Sequence, residues 1–338
     1  DVLDEVRYEL DWMLKMQDAA SGGVYHKVTA LVFPETVLAV DETDDMVLAP
    51  FSYAATADFA AVMAKASVLY AEYDADFAKS CLDAATNAYA FLEANPDMKG
   101  YENPEDLVTG AYDDTHLADE TLWASAEMYI ATKDAKYLTA TKTALDSNYL
   151  TGFGWADIGS YALYDLAKTE GVDADVAKTA KEKLLADADE TLSKAESEGF
   201  FTGMGVTYPW GSNMTITNKG MELLAAANLT GDAKYTEYAQ KMRDYIFGVN
   251  PTGYCYVTGY GSLTPNATHH RPSQVLKETM PGMLVGGANN NLNDPYANAV
   301  LYGIAPGRAY VDNEQCYSCN EVTIYWNSPL IYLLTGLN

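Results

Sequence analysis

Basic residues are scarce in this sequence of 338 residues, which holds 21 lysines and arginines against 48 aspartates and glutamates. The formal net charge of -27 at pH 7 repels the phosphates of nucleic acids and the headgroups of anionic lipids. Long apolar runs are missing as well, since no stretch approaches the roughly 18 to 20 apolar residues of a membrane-spanning helix. We therefore expect neither a nucleic-acid partner nor a membrane partner.

Cysteine is also rare, and four residues in a chain of this length cannot form a disulfide scaffold. Cys316 and Cys319 have the spacing of a redox or zinc pair. However, no second pair lies at zinc-finger spacing, and the surrounding residues do not read as a βαβ unit. We expect neither role for this pair.

What the sequence does contain is apolar residues at helical spacing, and no alternating β-branched run is long enough for a sheet. The predicted helices are residues 1–17, 54–73, 76–92, 117–132, 134–148, 156–170, 174–198, 212–229, 231–247 and 321–335. We expect residues 54–73 and 76–92 to pair as a helical hairpin. Long loops rich in glycine, proline, asparagine and aromatic residues separate the helices at 21–52, 97–116, 199–212 and 249–320.

Helical hairpins with long loops predict an all-α fold, either an (α/α)6 barrel or a helical solenoid. We find no fixed repeat period of the kind that solenoids show. The barrel is therefore the expected fold, with its long loops forming an active site.

The loop 249–320 holds His269, His270 and Arg271 in succession, so two of the four histidines in the chain are adjacent there. Neutral imidazoles and a guanidinium are suited to hydrogen bonds with hydroxyl groups or with a carboxylate. The alternative is that these side chains only pin the loop to backbone carbonyls.

Near the C-terminus, Asp312, Glu314 and Glu321 lie among Tyr317, Tyr325 and Trp326. Glycoside hydrolysis uses a carboxylic acid and a carboxylate, and aromatic rings stack on sugar faces. An acid beside apolar surface also has the raised pKa that a general acid requires. The alternative is that these acids only stabilise the start of the final helix, with Asn320 as its N-cap residue and Glu321 in its first turn.

The C-terminal spacing is aromatic-x-Asp-x4-aromatic-x3-Glu-x-Thr-x3-Asn-Ser, at Tyr310, Asp312, Tyr317, Glu321, Thr323, Asn327 and Ser328. This resembles the active-site signature of glycoside hydrolase family 9, the family of many cellulases. The loop before it resembles the other family signature at Val257, Thr258, Gly261, His269 and Arg271, with departures at Cys255, Leu263 and Thr268. The similarity extends over the chain through GGVYHK at 22–27, SYAATADFA at 52–60, DETLWASAE at 119–127, WGSN at 210–213 and GVNP at 248–251.

The resemblance implies a role for each matching residue. Glu321 would be the general acid, and Asp312 would support the site. The residues that would bind substrate are His269, Arg271, Trp210, Tyr317 and His26. The resemblance also implies a structural calcium ion, held by oxygen ligands at Thr115, Asp119, Glu120 and Asp157. No organic cofactor is expected.

The resemblance further implies a residue that we do not find in the sequence. Family members carry an Asp-Ala-Gly-Asp type motif whose second aspartate activates water, and the adjacent Asp44 and Asp45 lack its glycine. The chain begins at Asp1 and has about ten predicted helices, whereas the barrel needs about twelve. We therefore expect residues 1–338 to be a single catalytic domain without its N-terminal segment, first helix and base, which another fragment or domain of the protein would supply.

The expected function is inverting endo-hydrolysis of β-1,4-glucosidic bonds in cellulose or related β-glucans. The alternatives are an exo-acting cellodextrinase or β-glucosidase, and a non-catalytic barrel that binds glucan. The excess of acidic residues suits a secreted enzyme, since a neutral polymer is not repelled by negative charge.

Overall fold

The computed structural model describes residues 2–338, and helices form most of its regular structure. The α-helices are α1 (Val2–Met13), α2 (Tyr53–Tyr70), α3 (Ala75–Ala94), α4 (Ala118–Thr132), α5 (Ala135–Leu145), α6 (Gly159–Lys168), α7 (Ala174–Glu196), α8 (Ser212–Thr230), α9 (Ala233–Ile246), α10 (Arg271–Leu276), α11 (Pro295–Leu301), α12 (Tyr317–Asn320) and α13 (Ile324–Gly336). Short 3-10 helices lie at Leu14–Met16, Ala39–Asp41 and Pro306–Arg308. The two strands β1 (Val28–Thr29) and β2 (Val47–Leu48) pair in antiparallel fashion.

The predicted helices agree with the observed ones to within a few residues, and the all-α prediction is confirmed. The agreement follows from side-chain caps as well as from periodicity. Ser52, Asp74, Asp134 and Asp232 each accept a backbone N–H in the first turn of the helix that follows. Such caps fix where a helix begins, because they satisfy N–H groups that have no partner inside it.

The described residues form two compact units, which we call unit 1 (residues 2–34 and 43–182) and unit 2 (residues 35–42 and 183–338). In unit 1, α2 packs against α3 and α4, and α4 packs against α5 and α6. The predicted hairpin of α2 and α3 is therefore confirmed. In unit 2, α8 packs against α9 and α13. The prediction of a single domain stays a prediction.

Alanine allows the helices of unit 1 to approach closely. Ala57, Ala60, Ala61 and Ala64 of α2 are fully buried, so this face of the helix presents only small side chains to its neighbours. The core of unit 2 uses larger residues, among them the fully buried rings of Tyr245 and Tyr256. Within residues 2–338, no helix combines the length and apolarity that crossing a membrane requires.

Candidate active site

Glu321 lies between α12 and α13 rather than inside the final helix. Its backbone is extended, with φ -60° and ψ 151°. The N-cap residue of α13 is Thr323, whose side chain accepts the N–H of Trp326 at 3.3 Å. The alternative interpretation of Glu321 as a residue of the first helical turn, capped by Asn320, is therefore wrong.

Two backbone bridges hold Glu321 beside the segment 266–270, which we call the histidine loop. The N–H of His269 donates to the carbonyl of Asn320 at 2.9 Å, and the N–H of Gly286 donates to the carbonyl of Glu321 at 3.1 Å. His269 and Glu321 thereby form a parallel bridge, and Val285 and Val322 form an antiparallel one. This β-like pairing places the two polar side chains next to each other without a regular sheet.

Trp210 and Tyr317 complete the cluster, which we call the acid site (Glu321, Trp210, Tyr317 and His269). The indole Nε1–H of Trp210 donates to Glu321 Oε2 at 2.9 Å. The ring centroid of Tyr317 lies 5.5 Å from that of Trp210 and 5.6 Å from that of His269. Trp210 is 39% exposed, so its ring is available to a ligand while its N–H holds the carboxylate.

Burial raises the pKa of Glu321 above its ordinary value. The hydrogen bond from Trp210 opposes this effect, as do the positive charges of His269 and Arg271. Arg271 is the first residue of α10 and is half-buried. The site therefore holds a carboxyl that keeps its proton at higher pH than an exposed glutamate, with donors ready to stabilise the ionised form.

Asp312 acts on the histidine loop rather than on the acid directly. Its carboxylate accepts the N–H of Asn266 at 2.9 Å and the N–H of Ala267 at 2.9 Å. A second contact holds the same loop, since His269 Nδ1 lies 3.1 Å from the carbonyl oxygen of Glu314. The contact of His269 with a backbone carbonyl is of the kind that the pinning alternative describes. The supporting role that the resemblance implies for Asp312 stays a prediction.

Asn320 is a functional candidate that the sequence reasoning missed, because its position before Glu321 suggested a cap. Its side chain is fully buried and accepts the hydroxyl of Tyr310 at 2.8 Å. Its amide donates to the carbonyls of Val311 at 2.6 Å, Asn313 at 3.1 Å and Cys316 at 3.1 Å. One side chain thus fixes the segment 310–316 against the residue that precedes the acid.

Asn327 has a similar role on the opposite side of the bridge. Its Oδ1 accepts the N–H of Leu284 at 2.9 Å, and its Nδ2 donates to the carbonyl of Gly282 at 2.9 Å. The segment that pairs with Val322 is therefore held by a residue of α13.

His26 belongs to unit 1, where both of its ring nitrogens have partners. Nδ1 lies 2.9 Å from Ser52 Oγ, Nε2 lies 2.9 Å from the carbonyl of Ala111, and the ring stacks on Tyr101 at 3.7 Å between centroids. Burial lowers the pKa of this imidazole. A substrate-binding role for His26 stays a prediction.

The predicted calcium ligands lie in unit 1 in different environments. Asp119 and Glu120 begin α4 and are buried, whereas Thr115 is exposed. Asp119 Oδ2 accepts the N–H of Ile158 at 3.1 Å, but Asp119 Oδ1 and Glu120 Oε2 receive no donor from the described residues. The carboxylate of Asp157 packs against the backbone of Gly154. A side chain at position 154 would not fit there, because its Cβ would lie 1.9 Å from Oδ1 of Asp157.

Asp58 of α2 adds a third carboxylate that the sequence reasoning did not select, although it interrupts an alanine-rich apolar run. Its Oδ1 is buried without a donor from residues 2–338. Burial and the charges of Asp119 and Asp114 raise the pKa of Asp58 to about 8. Burial and the charges of Asp119 and Asp58 raise the pKa of Glu120 to about 9. We call Asp58, Asp119 and Glu120 the acid cluster.

Asp58 and Glu120 line a cavity of about 220 Å³, whose other walls include His26, Tyr112, Asp114 and Trp155. Among residues 2–338, no three His, Cys, Asp or Glu side chains are gathered closely enough to hold a metal ion by themselves. Calcium accepts backbone, hydroxyl and water oxygens as well as carboxylates, so the two buried oxygens of Asp119 and Glu120 fit such an ion as part of a mixed ligand set.

Comparison with known proteins identifies the family that this site belongs to. The sequence model of Glycosyl hydrolase family 9 matches residues 1–334. A xyloglucan-specific endo-beta-1,4-glucanase of Bacteroides ovatus is 37% identical, and a cellodextrinase of Butyrivibrio fibrisolvens is 34% identical, each over 100% of this chain. The chain spans 60% and 65% of the length of these two relatives.

Solved structures show the same fold. A thermostable endoglucanase from Alicyclobacillus acidocaldarius is 40% identical and superposes with a TM-score of 0.94, covering 98% of this chain and 64% of that one. A structure of AaCel9A in complex with cellobiose-like isofagomine matches with the same TM-score at 41% identity, again over 98% of this chain and 64% of that one. These matches confirm the predicted fold class, that of an all-α (α/α)6 barrel.

Proposed function

Because this chain belongs to glycosyl hydrolase family 9, we propose that it takes part in the inverting hydrolysis of β-1,4-glucosidic bonds in cellulose or related β-glucans, with Glu321 as the general acid. The observation that carries the proposal is the hydrogen bond between Trp210 and Glu321. This bond connects two groups with different uses. The partly exposed Trp210 ring can stack on a sugar, and the Glu321 carboxyl has a pKa that is raised by burial.

In the proposed reaction, the Glu321 carboxyl donates its proton to the glycosidic oxygen while the bond from that oxygen to the anomeric carbon breaks. Water attacks the anomeric carbon from the opposite face and gives up a proton to a base, so the new hydroxyl has the inverted configuration. We assign that base to no residue of this sequence. The Trp210 N–H and the charges of His269 and Arg271 then stabilise the carboxylate that Glu321 becomes.

Substrate would lie against Trp210 and Tyr317, whose rings are 5.5 Å apart and inclined at 47°. Aromatic faces stack on the C–H faces of sugars, and this contact depends little on charge. His269 and Arg271 would bond the hydroxyls of the sugar next to the cleaved bond. A neutral glucan suits this arrangement, since a chain with a net charge of -27 repels anionic polymers.

The relatives favour two modes of attack. The Bacteroides ovatus relative is named as an endo-glucanase and the Butyrivibrio fibrisolvens relative as a cellodextrinase. We propose the endo mode, with exo attack on short oligosaccharides as the second candidate. Viscosity of soluble cellulose separates them, because internal cleavage lowers it long before reducing ends accumulate.

The test of the acid role is Glu321→Gln in the native polypeptide that carries this sequence. We expect hydrolysis of cellotetraose to fall by roughly 10² to 10⁴-fold, since an amide cannot donate the proton. A cellobioside with a dinitrophenolate leaving group needs no such proton, so its hydrolysis should fall much less. Equal losses on both substrates, or near wild-type rates on cellotetraose, would contradict the assignment.

We also propose that a calcium ion binds at the start of α4, with Asp119 and Glu120 among its ligands. The two buried oxygens without donors support this proposal, because a buried carboxylate needs a cation, a donor or a proton. Thr115 and Asp157 would join only as further oxygen ligands. The acidic composition supports one more proposal, that the enzyme is secreted and acts outside the cell.

A further inference from the structure

Unit 2 contains an open groove apart from the acid site. It encloses about 350 Å³, within the range of small-molecule sites, and none of Glu321, Trp210, Tyr317 or His269 lines it. We call it the Phe200 groove. The lining side chains that matter here are Glu198, Phe200, Val206, Pro251, Pro306 and Arg308.

Internal hydrogen bonds fix the walls of this groove. Glu198 accepts the hydroxyl of Thr202 at 2.7 Å and the N–H of Gly205 at 2.7 Å. Asn290 holds the next stretch, since its Oδ1 accepts the N–H of Tyr208 at 2.7 Å and its Nδ2 donates to the carbonyl of Val206 at 3.2 Å. A preformed groove saves the ordering cost that a mobile loop would add to binding.

Among the described residues, two of the four arginines pair with carboxylates, and Arg308 and Arg271 do not. Arg7 pairs with Asp74, and Arg243 pairs with Asp244. No carboxylate within residues 2–338 lies at ion-pair distance from Arg308, which is exposed at the groove. Its guanidinium offers five N–H donors, and the structure leaves them directed to solvent or to a ligand.

An unpaired arginine alone suggests an anion, but the rest of the groove argues against one. Glu198 lies in the same wall, and its carboxylate would repel a negative ligand, as would the net charge of -27. A carboxylate and a guanidinium together suit hydroxyl groups, which both donate and accept. Phe200 is 40% exposed and adds an aromatic ring for the apolar face of a sugar.

We propose that the Phe200 groove is a second saccharide-binding site, which takes a short neutral β-glucan segment without cleaving it. In this site the Phe200 ring stacks on a sugar, Arg308 donates to hydroxyls, and Glu198 accepts from them. The choice of β-glucan rests on the proposed function, whereas the site itself rests on the residues of the groove.

The experiment measures cellotetraose binding by calorimetry to the native polypeptide carrying Glu321→Gln, which prevents turnover. In that background we compare Phe200→Ala, Arg308→Gln and the control Phe247→Ala, an aromatic residue of the same unit that is 38% exposed and does not line the groove. We expect two binding events in the parent and the control. In each groove variant, one event should weaken by about tenfold or disappear, corresponding to about 1.4 kcal/mol.

The same substitutions are then made with Glu321 intact, and kcat for cellotetraose should stay within about twofold of the parent. Equal binding by all three variants would overturn the second site. Binding of inorganic sulfate that depends on Arg308, with no second saccharide event, would also overturn it, because the groove would then be an anion site. If Phe200→Ala unfolds, the exposed Arg308→Gln still decides the outcome. If Glu321→Gln still hydrolysed cellotetraose, the acid role would fail. Binding would then be measured with a thio-linked cello-oligosaccharide that resists hydrolysis, and the groove variants should still differ from Phe247→Ala.

Discussion

Burial raises the pKa of both Glu321 and Glu120, yet the surroundings of the two glutamates differ. Glu321 is half-buried, and the Trp210 N–H bonds one of its oxygens, with His269 and Arg271 nearby. Glu120 is 2% exposed, one of its oxygens has no donor from the described residues, and its charged neighbours are the carboxylates of Asp119 and Asp58.

Because of this difference, Glu321 can alternate between its protonated and ionised forms, whereas ionising Glu120 costs much more free energy. Ionised Glu321 finds a donor and positive charge in place, so losing a proton to a substrate is supported. Ionised Glu120 is buried beside like charges, and only a backbone hydrogen bond opposes them, so it needs a proton or a cation to remain buried. A raised pKa alone therefore does not identify a catalytic acid, because its partners decide the role.

The largest expected effect comes from removing the buried support of Glu321. Asn320→Ala leaves the buried Tyr310 hydroxyl and the carbonyl of Val311 without partners, each worth about 1 to 3 kcal/mol. The carbonyls of Asn313 and Cys316 lose one donor each but keep backbone N–H donors. We expect a clear loss of stability in urea unfolding and a fall in kcat of at least about tenfold, with a changed pH–rate profile, because Glu321 is no longer fixed.

The control for Asn320 is Asn289→Ala, which also removes a fully buried asparagine of unit 2 but whose Oδ1 bonds only the N–H of Asn291. It should lose stability while keeping the parent kcat and pH profile. If both variants lose activity in proportion to stability, Asn320 has no specific positioning role.

The next largest effect concerns the acid cluster. In metal-free buffer, the folded state binds protons at Glu120 and Asp58 that the unfolded state has released above about pH 4 to 5. Stability should therefore fall as pH rises from about 5 to 9. Calcium prefers the ionised carboxylates, so it should raise the melting temperature more at pH 8 than at pH 6. At a hundredfold excess over Kd, bound calcium stabilises the folded state by about 2.7 kcal/mol.

Glu120→Gln should raise the melting temperature in metal-free buffer at pH 8 and remove most of the calcium effect. The matched control is Glu182→Gln, a largely exposed glutamate on α7, which should change neither. If neither calcium nor Glu120→Gln changes the melting temperature, the acid cluster is neither strained nor a cation site.

The smallest expected effect is a change in the pKa of Glu321. Trp210→Phe keeps an aromatic ring but removes the N–H that lowers the pKa of Glu321. The alkaline limb of the kcat/KM profile should therefore move to higher pH, by up to roughly one unit. Tyr317→Phe is the control, since its hydroxyl does not bond Glu321, and an unchanged limb in both variants would show that the indole N–H has no influence.

The helices were predictable because their periodicity and caps are local properties of the sequence. The short helices α10, α11 and α12, of six, seven and four residues, were not found in the loop 249–320. Segments of that length complete too few turns to show a period, and they are held by contacts from other parts of the chain. The division into two units was likewise invisible, because it depends on which helices pack together.

The acid site was predictable where a motif fixes both residue type and spacing. Glu321, Trp210, Tyr317 and His269 do lie together. Asn320 and Asp58 were missed for different physical reasons. Asn320 has the residue type of a helix cap and differs from one only in its three-dimensional partners, whereas Asp58 is a single polar residue in an apolar helix whose neighbours come from α4 and its preceding loop.

The bridges around Glu321 have a consequence for folding. They join Val257 to Leu284, His269 to Glu321 and Val285 to Val322, so each one closes a long stretch of intervening chain. Closing such loops costs entropy before any contact compensates for it, and contacts between distant residues slow folding. The acid site is thus assembled from segments that become neighbours only when most of unit 2 has folded. After dilution from denaturant, we therefore expect activity to recover last.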